Sequence, residues 1–174
     1  MRKPQVRPDV WYERHARERV AALPADVDPS VFELAYNLLH LSYLLVSDLE
    51  SRIHRPRGQT LPGFRLMFKL WLLGPTRVSD LAGYSAMTRS AVSNAVNTLE
   101  RDGLVERRAD PGDRRTVIVA LTEAGARAVH TGFEEQNRRE RQWFAALTPA
   151  ERDQLADLAR RLIAARPDGL SPGG

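Results

Sequence analysis

Five residues on one side of an expected helix carry most of the chemistry that can be read from this sequence. From Thr88 to Arg101, the apolar residues Val92, Ala95, Val96 and Leu99 follow i, i+3, i+4, i+7 spacing. Ser90, Ser93, Asn94, Asn97 and Arg101 therefore share the opposite face. Their hydroxyls and amides both donate and accept hydrogen bonds, and an amide matches the donor–acceptor pair on an adenine edge. No acid occurs from Leu81 to Leu99, so nothing on that face repels a phosphate. Bond-making chemistry is not served in the same way. The sequence lacks Gly-x-Gly-x-x-Gly, Walker, Gly-x-Ser-x-Gly and His-Glu-x-x-His patterns. Its histidines are scattered. Glu50 with His54, and His130 with Glu134, stand at i, i+4, a spacing that surface ion pairs use far more often than metals do. No enzyme activity, cofactor or metal site is expected.

The elements around this face have recognisable ends. A short helix beginning near Val78 precedes it, Thr88 supplies an N-cap hydroxyl, and Asp102-Gly103 stops the helix, with Gly103 free to turn left-handed. Two β-patterned runs follow, Leu104 to Ala109 and Thr116 to Leu121; in the second, Val117, Val119 and Leu121 alternate with Thr116, Ile118 and Ala120. Between them Asp110-Pro111-Gly112-Asp113 suits a type II turn, and Arg114 and Arg115 sit just past its tip. Asp113 with Arg115 reads as a salt bridge that stabilises the hairpin. A helix-turn-helix followed by a hairpin with a basic tip is a winged helix. The expected fold class is mainly α with a small β-hairpin wing, joined to a helical dimerisation region.

Composition bounds the rest. The chain has 174 residues, no cysteine and a formal net charge of +4. Its length suits one domain or one compact dimer-forming unit. The missing cysteines fit a cytosolic setting, no apolar run is long enough for a bilayer, and the N-terminus leads into no secretory signal. Lys3 and Lys69 are the only lysines, so arginine supplies the positive charge. Residues 77 to 115 hold seven arginines against six acids. A DNA surface must therefore come from where these charges sit, since their sum is nearly zero.

The chain resembles the multiple-antibiotic-resistance regulator (MarR) family of bacterial transcription factors. The matching residues are Val78-Ser79-Asp80-Leu81-Ala82, Leu99 through Val105, Arg107, Asp113-Arg114-Arg115 and Leu121-Thr122-Glu123-Ala124-Gly125. Ser85-Ala86 stand where the family usually has Leu-Gly. The resemblance implies a cytoplasmic, nucleoid-associated homodimer. It also implies repression of nearby genes, relieved by a small aromatic effector held between two helices. His40, Tyr43, Phe68 and Trp71 are the candidates for that ligand site, although their usual role is core or interface.

Residues 1–29 read as an N-terminal arm with a helix-compatible stretch after Pro8 that includes Val10, Trp11, Val20 and Leu23, followed by a linker that Pro24 and Pro29 bound. The arm packs on a partner subunit or touches phosphates through Arg2, Lys3 and Arg7. The MarR-like unit is expected over 30–166, with the winged helix at about 61–121. Dimerisation helices occupy about 30–53 and 122–166, and 167–174 form a disordered tail. Ser30 to Ile53 is apolar over so much of its circumference that burial on more than one side is expected. Residues 55–63 read as a loop, and Phe64 to Leu73 as a compact helix. The helix from Thr122-Glu123 to about Ala146 has a polar middle, Glu134 to Gln142, expected to be solvated. Thr148-Pro149-Ala150-Glu151 forms a capping box that opens a last helix, which Pro167 ends.

In DNA binding, Asn94 and Asn97 would pair with adenine edges, and Ser90 and Ser93 would contact bases or phosphates. Thr88, Arg89 and Ser79 would contact phosphates, while Arg114 and Arg115 would enter the minor groove. The partner is double-stranded DNA with a pseudo-palindromic site, and no membrane is involved. Two other readings compete: a winged-helix module that binds protein, and a small-molecule-binding protein without DNA.

Overall fold

The computed structural model describes residues 8–23, 26–85, 87–110, 112 and 116–167, which fall in two compact units, Met1–Ser47 and Asp48–Gly174. In the first unit, helix α1 (Pro8–Ala21) and most of α2 (Pro29–Leu49) are joined by an Arg17–Glu33 ion pair at 2.7 Å and by the Tyr12 and Tyr36 rings at 5.6 Å. Pro29 bounds the segment between these two helices. It opens α2, whose first N–H groups, those of Ser30 and Val31, donate to the Asp28 carboxylate. The apolar stripes of α2 remain exposed within the chain: Val31, Leu34, Leu38 and Leu39 are all 41–73% accessible.

The expected single helix to Ile53 instead ends at Leu49 and continues as a π-helical turn, Glu50–His54, followed by a 3₁₀ turn, Arg55–Arg57. α3 (Leu61–Leu73) starts three residues earlier than its apolar pattern suggests. Thr60 caps it by accepting from Gly63 N at 3.2 Å, and Pro62 fits the first turn, where no N–H is needed. Leu61, Phe64, Leu66, Met67 and Leu70 of α3 are buried, as are Val92, Val96, Leu99, Ile118 and Val119 further along the chain. At about 1.5–3 kcal/mol for each large apolar side chain, this core dominates the stability of the unit.

The order continues β1 (Thr76–Arg77), α4 (Val78–Gly83), α5 (Arg89–Arg101), β2 (Val105–Ala109), β3 (Val117–Leu121), α6 (Glu123–Trp143) and α7 (Pro149–Ala164). The sheet is antiparallel in the order β1-β3-β2, with Arg107 opposite Val119 and Arg77 opposite Ile118. β3 departs from simple alternation. Ile118, Val119 and Ala120 are all buried, because this central strand is covered on both faces. Ser85 is buried, and its hydroxyl donates to the Leu81 carbonyl. Ala86, Pro111, Asp113, Arg2, Lys3, Arg7, Pro24 and the tail after Pro167 lie outside the described residues. Gly112 does not take the positive φ of a type II turn; its N–H donates to Asp110 Oδ1 at 2.8 Å instead. Among the described residues no helix is long and apolar enough to cross a membrane.

Candidate nucleic-acid interface

α5 is held at both ends by devices visible in its sequence. Thr88 Oγ1 accepts from Ala91 N at 3.2 Å, and lies 3.0 Å from Ser90 Oγ. At the other end Gly103 has φ +70°, its N–H donates to Glu100 O, and Leu104 N–H donates to Leu99 O, which is a Schellman close. Between these ends Arg89, Ser90, Asn94, Asn97 and Arg101 are exposed and Ser93 is half-buried. The face expected to be polar and open is so.

The two asparagines differ in their surroundings. Asn94 borders a groove of about 240 Å³, whose lining also includes Gly58, Gln59, Thr60 and Thr98. Asn97 is engaged: Arg107 Nη2 donates to its Oδ1 at 2.7 Å, while Arg107 Nη1 pairs with Glu100. The Glu100 carboxylate also accepts the backbone N–H of Arg107 at 3.2 Å. The wing strand β2 is thereby fixed to α5. Sequence reasoning gave Arg107 and Glu100 no role, although opposite charges flanking the Asp102-Gly103 turn were a usable signal. A second tie joins Arg77, at the start of α4, to Asp110 at 3.7 Å. Ser79, exposed in the first turn of α4, donates to Asp80 Oδ1 at 3.1 Å, which places an acid beside that expected phosphate contact. Arg114 and Arg115 lie outside the described residues.

α6 connects this interface to the end of α2. Thr122 Oγ1 accepts from Gly125 N at 3.0 Å and donates to Gly103 O at 2.7 Å, and Thr122 N donates to Leu104 O at 3.1 Å. The middle of α6 is not simply solvated, as its polarity suggested. Arg139 donates to Asp48 at 2.6 and 2.9 Å, Trp143 Nε1 donates to Asp48 at 2.6 Å, and Glu135 pairs with Arg57. The Arg139 hydrogen bond, opposed by partial burial and assisted by Trp143, lowers the Asp48 carboxyl to about 2.

His54 is fully buried against Phe64, with ring centroids 4.5 Å apart, and lies 2.9 Å from Gln136 Oε1. Burial lowers its affinity for a proton. The expected Glu50–His54 surface pair does not form, because Glu50 accepts from Leu61 N at 2.5 Å to cap α3. His130 packs edge-on to Trp71 at 5.7 Å.

Of the four candidate ligand contacts, Phe68 and Trp71 lie 5.6 Å apart in the second unit, with Phe133 stacked 5.1 Å from Phe68. His40 and Tyr43 belong to the first unit, where His40 lies 5.8 Å from Tyr36 and Tyr43 is exposed.

The model of the MarR family matches residues 60–117, which contain α4, α5 and the start of the hairpin. The crystal structure of Sco3205, a MarR family transcriptional regulator from Streptomyces coelicolor in complex with DNA, superposes with a TM-score of 0.75 at 26% identity. It covers 86% of this chain and 98% of its own. Over residues 60–117 the chain matches the MarR family, and its solved and curated likenesses are regulators of that kind. The chain is a DNA-binding transcriptional regulator. The HTH-type transcriptional regulator YwaE of Bacillus subtilis is 23% identical over 151 residues, 86% of this chain and 88% of YwaE. The transcriptional repressor MprA of Escherichia coli is 31% identical over 85 residues, 49% of this chain and 48% of MprA. These MarR relatives are regulators and not enzymes.

Proposed function

We propose that this protein acts as a homodimer that represses nearby genes by occupying a pseudo-palindromic operator, and that a small aromatic effector relieves the repression. The observation that carries the reading is the exposed polar face of α5, free of acids before Glu100, whose carboxylate is taken up by Arg107 of the wing strand tied to it. Such a helix enters the major groove. Asn94, Ser90 and Ser93 reach base edges or nearby phosphates, with Thr88, Arg89 and Ser79 on the backbone. Arg114 and Arg115 follow the wing to the minor groove, where narrow A·T-rich stretches attract arginine.

A protein-binding use of the same face would call for apolar anchors, and among its exposed residues there are none. MprA, a repressor, supports repression as the sense of regulation. The Phe68, Trp71 and Phe133 cluster supplies aromatic surface for an effector, and His40 and Tyr43 remain candidates on the first unit. An effector acts only through unequal affinity for two conformations.

The test is fluorescence anisotropy with the duplex upstream of the protein's own gene and a shuffled duplex, over a salt series. Selective binding of two subunits per native site is the expected result. Equal weak binding to both would remove the specific reading. Asn94→Ala should lose about 1–3 kcal/mol of discrimination between the two duplexes.

A further inference from the structure

We infer that Asn97 and Arg107 together read a base edge that accepts hydrogen bonds, guanine rather than adenine; this rests on the proposed entry of α5 into the major groove. A guanidinium only donates, so the 2.7 Å contact from Arg107 Nη2 requires the Asn97 amide to turn its oxygen toward the wing. The guanidinium is itself held by Glu100, whose carboxylate takes both Arg107 Nη1 and the Arg107 backbone N–H. Asn97 is exposed on α5, and the amide NH₂ is the group left for a ligand.

An amide that recognises adenine must offer its oxygen to the N6 amino group and its NH₂ to N7. Here an arriving amino group meets a carbonyl already bonded to a cation. The guanine edge presents O6 and N7, two acceptors, to the adjacent amide and guanidinium donors. Among the described residues Asn94 has no such neighbour, which leaves both halves of its amide for adenine. The two asparagines, equivalent in sequence, thus have different specificities.

The test enriches duplexes with a randomised segment of roughly 20 base pairs, long enough for two half-sites, on the full-length protein and on Asn97→Ala and Arg107→Met. Thermal melting confirms that each variant is folded, and Arg107→Lys provides a second variant that keeps the charge. The parent should prefer guanine at the one position per half-site whose preference Asn97→Ala abolishes. Replacing that guanine by 7-deazaguanine should weaken the parent about 3–10-fold, the worth of one hydrogen bond, and leave Asn97→Ala unchanged. Arg107→Met should move the preference at that position toward adenine. Parental preference for adenine there, lost when the N6 amino group is removed, would overturn the inference and leave the DNA reading standing. So would an Asn97→Ala variant with unaltered preference at every position. Failure of the parent to enrich any duplex would overturn both.

Discussion

Asp48 takes hydrogen bonds from Arg139 and Trp143 and an ion pair from Arg52 at 2.9 Å, all while mostly shielded from water. An ionised carboxylate is favoured there, so its folded value, about 2, lies below the roughly 3.9 of an unfolded aspartate. The folded state therefore binds fewer protons than the unfolded chain between these values. The resulting stability is complete above about pH 5 and disappears as the pH falls toward 2. Asp48→Asn should cost about 1–3 kcal/mol at pH 7, the worth of a charged hydrogen bond. The gap in urea midpoint between parent and variant should close between about pH 4 and pH 2. A constant gap over that range would mean that Asp48 contributes by packing and not by charge. None of this was legible in the sequence, since Arg139 and Trp143 lie 91 and 95 residues from Asp48. The same holds for His54 and Gln136, 82 residues apart, which is why a polar band on α6 read as solvated.

Local signals, by contrast, set the element ends. Thr88, Thr122 and Thr148 each accept from the third N–H onward, as their spacing requires. The π-helical turn and the two-residue β1 were invisible because neither has a period to detect. The junction of α5 with α6 shows what such local signals produce when they meet. Thr122 caps α6 and at the same time satisfies the Gly103 carbonyl that follows α5. A Cβ at Gly125 would stand 1.9 Å from the Leu104 carbonyl oxygen, so only glycine allows the two backbones to approach. Thr122→Val should cost roughly 1–2 kcal/mol, the loss of a cap and one further hydrogen bond. Gly125→Ala should cost more, because main chain must move to admit the methyl group. Chemical denaturation of both variants checks the order, and a reversed order would show that the hydroxyl contacts dominate the junction.

For the molecule as a whole, the apolar residues that the chain leaves uncovered are the guide. Every residue of α7 is exposed, yet Leu155, Leu158, Leu162 and Ile163 recur on one face at helical spacing. α2 exposes a comparable stripe. Contiguous apolar patches of this kind are rare on monomers and mark interfaces. A second copy is the occupant that the DNA reading requires, since one α5 reaches only one half-site and a two-fold axis presents two, about 10 base pairs apart. Leu158→Glu with Leu162→Glu places charges in that interface, which hydrophobic contact cannot compensate. The double variant should sediment as a monomer at a concentration where the parent is a dimer. It should also keep its far-UV circular dichroism, because neither side chain contributes to the core of its own chain. Its affinity for the full operator should fall to that for a single half-site, since the second α5 no longer arrives at the high effective concentration a dimer provides. A monomeric variant with parental operator affinity would separate dimerisation from DNA binding and require each half-site to be bound independently. A variant still dimeric would move the interface away from α7 and leave α2 as the face to mutate.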